Sequence, residues 1–149
     1  MKRTQFVNRV CSSLPLLTAL LFSGNVAGAD AVMAQAPDEG AVKWVECGGA
    51  WPEKGCEAAL VWGDWEKATH AWWVRAPKGY TFVRHSHTAP ERILLVRGRM
   101  VGAVDGGKEA MVTPGMYWGF AGKAVHWARC EDACLMYITY DSGFDLTFH

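Results

Sequence analysis

Residues 79–98, GYTFVRHSHTAPERILLVRG, place two histidines and a glutamate in a short turn between two strand-like runs. Alternate residues of a strand point to one face, so His85 and His87 are expected to project together. Pro90 cannot donate to a strand ladder and breaks the run, and Glu91 opens the next one. Two strand histidines could also be ordinary hydrogen-bonded polar groups. The pattern nevertheless favours three ligands of a metal site, with His126 as the candidate fourth ligand.

The chain after residue 41 consists of short runs rich in β-branched and aromatic residues. Turn sequences such as Pro114-Gly115 separate most of these runs, and we find no long amphipathic helix, only a candidate helical turn at residues 65–70. Many short strands at this spacing predict an all-β sandwich or barrel. The predicted strands cover residues 42–46, 58–62, 71–75, 80–85, 92–96, 100–104, 110–112, 116–120, 125–128 and 135–140.

The wider spacing around the histidines resembles a family motif. The stretch matches the first motif of the cupin superfamily at each anchoring position. The anchors are Gly79, His85, His87, Glu91 and Gly98, with gaps of five, one, three and six residues between them. This resemblance covers most of the chain beyond residue 41.

A second stretch resembles the second cupin motif. Gly115 and His126 match it, whereas Ala121 replaces the usual proline, Lys123 the usual glycine and Cys130 the usual asparagine. Together with the TAPERILLVRG segment, the tail from residue 114 looks like that of small single-domain bacterial cupins.

The resemblance implies an all-β jelly-roll cupin barrel (a double-stranded β-helix) that binds one divalent metal through His85, His87, Glu91 and His126. Imidazoles and one carboxylate suit Fe, Mn, Ni, Cu or Zn, and ligand type does not choose among them. Four protein ligands leave one or two coordination positions open on a metal that accepts five or six.

Three kinds of function are open, and the resemblance implies the reaction types of the first. The first is a small metalloenzyme of dioxygenase, lyase or isomerase type that acts on a small organic molecule. The second is a non-catalytic module in which metal and aromatic walls bind or sense a ligand. The third, a structural protein with an empty site, is disfavoured by the presence of all four ligand types. Dimerisation through barrel edges, common among cupins, stays open.

The first 29 residues resemble a signal peptide. Lys2, Arg3 and Arg9 form a basic start, residues 14–22 an apolar centre, and Ala27-Gly28-Ala29 a small-residue cleavage pattern. The apolar centre is shorter than the roughly 20 residues that cross a bilayer, so we expect no membrane association after cleavage. We therefore expect a signal peptide over 1–29, a flexible leader over 30–40, a single domain over 41–149, and a periplasmic or secreted location.

Charge disfavours nucleic acid as a partner. Cleavage after residue 29 would leave 12 basic and 15 acidic residues, a net charge of −3. A nucleic-acid-binding domain would instead show a clustered basic face. The sequence also lacks the GxSxG, phosphate-loop and dinucleotide-binding patterns, which disfavours hydride and phosphoryl chemistry.

Four cysteines lie beyond the expected cleavage site. An even number in an exported protein favours disulfides, and three connectivities are available. We expect local pairs, Cys47 with Cys56 and Cys130 with Cys134. The alternative, a four-thiolate zinc site, lacks close CxxC pairs.

The remaining polar candidates are weaker. His70 is expected to be a surface or core histidine. Four side chains could line the cavity or face outward with equal weight: Arg75, Tyr117, Tyr137 and Tyr140. Lys123 is expected to be exposed, and most of the tryptophans to pack in the core.

Overall fold

The computed structural model describes Pro37, residues 42–47 and residues 51–149. These residues form eleven strands, and the described part of the chain contains no helix. The strands are β1 Val45–Glu46, β2 Glu57–Gly63, β3 His70–Ala76, β4 Thr81–Ser86, β5 Glu91–Arg97, β6 Met100–Val104, β7 Ala110–Val112, β8 Tyr117–Phe120, β9 His126–Cys130, β10 Cys134–Tyr140 and β11 Thr147–Phe148.

The strands form two antiparallel sheets. The six-stranded sheet has the order β1-β2-β3-β10-β5-β8, and the five-stranded sheet has the order β11-β4-β9-β6-β7. Consecutive strands therefore often belong to different sheets, as in a jelly roll. The predicted all-β jelly-roll fold is confirmed.

The strand boundaries differ from the prediction mainly at the two ends of the domain. The first predicted strand, 42–46, is reduced to β1, which pairs with β2 through Val45 and Glu46. Strand β11 was not predicted, although Phe144, Leu146 and Phe148 alternate along this segment. The predicted helical turn is a single turn in which the Ala68 N–H donates to the Asp64 carbonyl at 2.9 Å.

The core lies between the sheets, and strand β5 shows the alternation of buried and exposed residues most clearly. On β5, Ile93 and Leu95 are buried, while Leu94 between them is 40% exposed. Ile93 lies beside Ile138 of β10, and Leu95 beside Met136. The same inward row continues to Glu91, so alternation carries a carboxylate into the apolar interior.

The cysteines lie as the local pairing predicts. The sulfur atoms of Cys47 and Cys56 are at disulfide distance, and their Cα atoms are 5.3 Å apart. The sulfur atoms of Cys130 and Cys134 are also at disulfide distance, and their Cα atoms are 5.8 Å apart. Both Cα separations fall in the usual disulfide range. The second pair connects the end of β9 to the start of β10 and so links the two sheets.

The predicted signal peptide and almost all of the predicted leader lie outside the described residues. Within the part that the structure does describe, no helix is long and apolar enough to span a membrane.

Adjacent leucines test the register of β5. Replacement of Leu95, which is fully buried, by alanine is expected to lower the free energy of unfolding by about 2–5 kcal/mol. Leu94→Ala is the matched control and is expected to cost less than about 1 kcal/mol, because that side chain is already half in solvent. Urea unfolding monitored by tryptophan fluorescence measures both values, and equal losses would contradict the register.

Candidate metal centre

Four side chains from three strands and one turn meet in the barrel interior. One ligand atom from each of His85, His87, Glu91 and His126 lies within 4.8 Å of the other three. His85 on β4 is directly paired with His126 on β9, Glu91 opens β5 in the opposite sheet, and His87 follows the end of β4. All four residues are at most 5% exposed. The structure therefore brings together all four predicted ligands in a group that could bind a metal ion.

Backbone carbonyls fix the orientation of all three imidazoles. The Nδ1–H of His85 donates to the Val83 carbonyl at 2.6 Å, that of His126 to the Ala124 carbonyl at 2.9 Å, and that of His87 to the Asp145 carbonyl. A carbonyl can only accept, so the Nδ1 atom must carry the proton in each ring. Each Nε2 atom is consequently the one left to face the interior, the arrangement usual for metal-binding histidines.

Glu91 presents its two oxygens to different partners. Oε1 accepts a hydrogen bond from the Tyr140 hydroxyl, while Oε2 lies 3.0 Å from His126 Nε2 and 3.9 Å from His87 Nε2. A neutral imidazole has one ring proton, and in His126 it lies on Nδ1. A neutral His126 would therefore direct the lone pair of Nε2 at a carboxylate oxygen. A proton or a metal cation has to lie between these two acceptors.

Burial and mutual interactions set the charges of this group. Burial and the proximity of His126 lower the pKa of His85 to about 4. Burial alone would raise the pKa of Glu91, but the hydrogen bond with His126 and the proximity of His87 outweigh it, and the net direction is downward. Burial and the charge of Glu91 raise the pKa of Tyr140 well above 10. At neutral pH His85 is therefore neutral and Glu91 is ionised, the states in which an imidazole and a carboxylate bind a metal.

The match to a family model agrees with this geometry. The model described as the ChrR cupin-like domain matches residues 34–142, well over half of the chain. The chain belongs to the ChrR cupin-like family. No curated protein sequence matches this cupin significantly.

Solved structures show the same fold in distant relatives. The DMSP lyase DddQ from Ruegeria pomeroyi has a TM-score of 0.60 and 16% identity, with coverage of 72% of this cupin and 60% of the lyase. An RmlC-like cupin from Shewanella frigidimarina has a TM-score of 0.58 and 19% identity, with coverage of 68% and 84%. A salicylate 1,2-dioxygenase from Pseudoaminobacter salicylatoxidans has a TM-score of 0.54 and 12% identity, with coverage of 62% and 26%. At these identities the similarity establishes the fold of this cupin.

The C-terminal segment holds His87 in place, a role that the sequence pattern did not predict. The Asp145 carbonyl accepts a hydrogen bond from the Nδ1–H of His87. The Asp145 carboxylate accepts hydrogen bonds from the backbone N–H and the hydroxyl of Thr88. Phe144 packs against His87 with ring centroids 5.3 Å apart. The alternation of apolar residues along this segment was the available signal for a strand here, but nothing local indicates that it pairs with β4.

Of the four side chains expected either to line the cavity or to face outward, one lies in the site and three lie outside it. Tyr140 lies in the site, whereas Tyr117 is 63% exposed. Arg75 forms an ion pair with Glu57 at 2.6 Å, and the Tyr137 hydroxyl accepts a hydrogen bond from the Trp62 indole. None of these three residues lines the cavity.

His70 is buried in the core next to the site. Its Nδ1–H donates to the Ala68 carbonyl at 2.9 Å, and its ring stacks on Tyr140 with centroids 5.2 Å apart. The ring therefore supports the tyrosine that holds Glu91.

Lys123 preserves the turn in which other cupins have glycine. Its φ angle is +67°, in the left-handed region that glycine adopts without strain. The Lys123 N–H donates to the His87 carbonyl at 2.7 Å, which connects this turn to the segment that carries His87. The exposed lysine therefore keeps the backbone conformation at a cost of about 1 kcal/mol.

A cavity of about 260 Å³ adjoins the four side chains. Its wall includes His85, Glu91 and His126 together with large aromatic side chains. Trp51 contacts His85 edge-on with centroids 4.7 Å apart, and Phe120 stacks on His126 at 3.8 Å. The ligand group thus lies at the wall of a largely apolar chamber rather than in a closed polar site.

The depressed pKa of His85 predicts a specific pH dependence in metal-free protein. In the unfolded chain His85 takes up a proton near its usual pKa of 6.5, whereas in the folded protein it does so only near about 4. Stability should therefore fall as the pH is lowered from 6.5 to 4, by roughly 3 kcal/mol, since each tenfold difference in proton affinity corresponds to about 1.36 kcal/mol.

Chemical denaturation in the presence of a chelator measures this dependence. The His85→Gln variant, which retains side-chain volume without the titrating ring, should show a distinctly shallower slope over the same interval. Identical slopes in the two proteins would contradict the assignment.

Proposed function

We propose that this cupin binds one divalent transition metal ion through His85, His87, Glu91 and His126 and acts as a metalloenzyme on a small organic molecule held in the adjoining cavity. The supporting observation is the convergence of lone pairs. Three Nε2 atoms and a carboxylate oxygen face one another in an apolar interior, and their own hydrogen-bond donors are directed elsewhere. Buried acceptors that face one another are costly unless a proton or a metal cation lies among them, and a metal ion can satisfy all four at once.

The chemistry of the four donors fits a first-row ion. Imidazole nitrogen and carboxylate oxygen suit Fe, Mn, Ni, Cu or Zn, and no cysteine sulfur takes part among the described residues. Such an ion would supply Lewis-acid polarisation of an oxygen atom and, where redox-active, electrons for chemistry with dioxygen.

The surrounding residues would prepare the site for substrate. Tyr140 holds one Glu91 oxygen through its hydroxyl proton and leaves the other directed at the histidines. Trp51 and Phe120 pack against two of the imidazoles and limit their rotation. The same aromatic side chains make the cavity wall apolar, and expulsion of water by a bound ligand would strengthen electrostatic interactions inside it.

The reaction type is proposed at a coarser level. Structural relatives with this fold include a lyase and a dioxygenase by name. An open metal position beside a substrate cavity could serve a dioxygenase, lyase or isomerase reaction, and fold alone does not select among them.

Export to the periplasm or the exterior is part of the proposal. The basic, apolar and small-residue pattern of residues 1–29 supports it. The two cysteine pairs at disulfide distance also support it, since disulfides persist in oxidising compartments.

Metal analysis of purified protein tests the proposal. We expect about one equivalent of a divalent metal per chain, and we expect His87→Ala to lower metal affinity by at least about tenfold, because it removes a ligand. The control is Glu109→Ala, since Glu109 is an exposed carboxylate before β7 and its replacement should keep full metal content. Circular dichroism should show both variants folded.

Screens of the metal-loaded protein for oxygen consumption, elimination and isomerisation then separate the functions. Turnover that is lost in His87→Ala supports an enzyme. Stoichiometric metal without turnover of any compound class would favour a binding module, and protein that takes up none of the candidate ions would contradict the whole proposal.

A further inference from the structure

The cavity beside the ligand group has an unusual charge distribution. Among the described residues that line it, none is a lysine or an arginine. The charged side chains in the lining are Glu91, at the ligand group, and Glu46, which is exposed at the edge of the cavity. The described part of the cavity wall therefore offers an incoming molecule no lysine or arginine, and the acidic group at the edge disfavours anions.

A bound divalent ion would add two positive charges at the end of the cavity where the four side chains lie. With one carboxylate and neutral imidazoles as ligands, the site would carry a net charge of +1. One ionised oxygen on the ligand would neutralise it. A second anionic group would lie against aromatic and aliphatic walls without a partner, and an unpaired buried charge is strongly disfavoured.

The walls also define the body of the ligand. The ring-bearing side chains include Trp51, Trp65, Trp72, Phe82, Phe120 and Phe144. The volume of about 260 Å³ compares with about 150 Å³ for an apolar cavity that holds one benzene molecule. One ring with a few substituents would fill this space, whereas a large multi-ring molecule would not fit.

We propose that the ligand of this site is a small, mainly apolar molecule, about one substituted ring in size, with a single metal-binding group that carries at most one negative charge and with no second charged group. This inference rests on the proposed metal centre. It excludes phosphorylated compounds, dicarboxylates and other ligands that need a cationic side chain for their second charge.

Two probes of similar shape test the inference. 4-Methylcatechol and 3,4-dihydroxybenzoate share the metal-binding diol and differ in a methyl group against a carboxylate. Binding to the full, metal-loaded protein is measured without oxygen by calorimetry, with metal content determined in the same samples. We expect 4-methylcatechol to bind at least tenfold more tightly.

The Glu46→Gln variant isolates the effect of charge, because this residue is exposed and its replacement should leave the fold intact. It should improve binding of 3,4-dihydroxybenzoate and leave that of 4-methylcatechol unchanged.

The outcomes separate the two proposals. Metal-loaded protein that binds 3,4-dihydroxybenzoate as tightly as 4-methylcatechol, or more tightly, overturns the ligand class and leaves the metal centre standing. Protein that takes up no metal overturns both. An equal effect of Glu46→Gln on the two probes overturns the role given to charge at the cavity edge.

Discussion

Four buried side chains whose metal-binding atoms face one another dominate the interior of this barrel. The Nδ1 protons of His85, His87 and His126 are held by backbone carbonyls, so their Nε2 atoms converge on the ionised Glu91 as acceptors. In an apolar core, acceptors that face one another are costly, so a proton or a metal cation has to lie among them. The surrounding fold can be understood as the means of holding these groups in that orientation.

Each layer of the structure contributes to that orientation. Alternation on β5 and β10 places Glu91 beside Tyr140, and the stacking of Tyr140 on His70 fixes the tyrosine. The Lys123 turn and the Asp145 carbonyl hold His87 from two sides. Beyond these contacts the wall becomes largely apolar, apart from Glu46 at the cavity edge. This separation of a charged end from an apolar chamber is the basis of both the proposed metal chemistry and the proposed ligand class.

Strand alternation, a local property, was sufficient for the all-β class, and the resemblance to the two cupin motifs was sufficient for the jelly roll and for the proximity of the four predicted ligands. The sequence was insufficient for Asp145 and Phe144, which reach His87 through a strand pairing between residues about sixty positions apart. The orientation of Tyr140 was equally undetermined, since a register shift of one residue would turn it outward. The charge of the cavity wall depends on the same register and on segments brought together from both sheets.

The most direct measurement is crystallography of the metal-loaded protein with anomalous diffraction at the absorption edge of its metal. The account predicts one anomalous peak among His85, His87, Glu91 and His126, with all three imidazoles bound through Nε2 and their Nδ1 atoms still on the carbonyls of Val83, Asp145 and Ala124. A metal peak elsewhere in the protein, or a histidine bound through Nδ1, would contradict it.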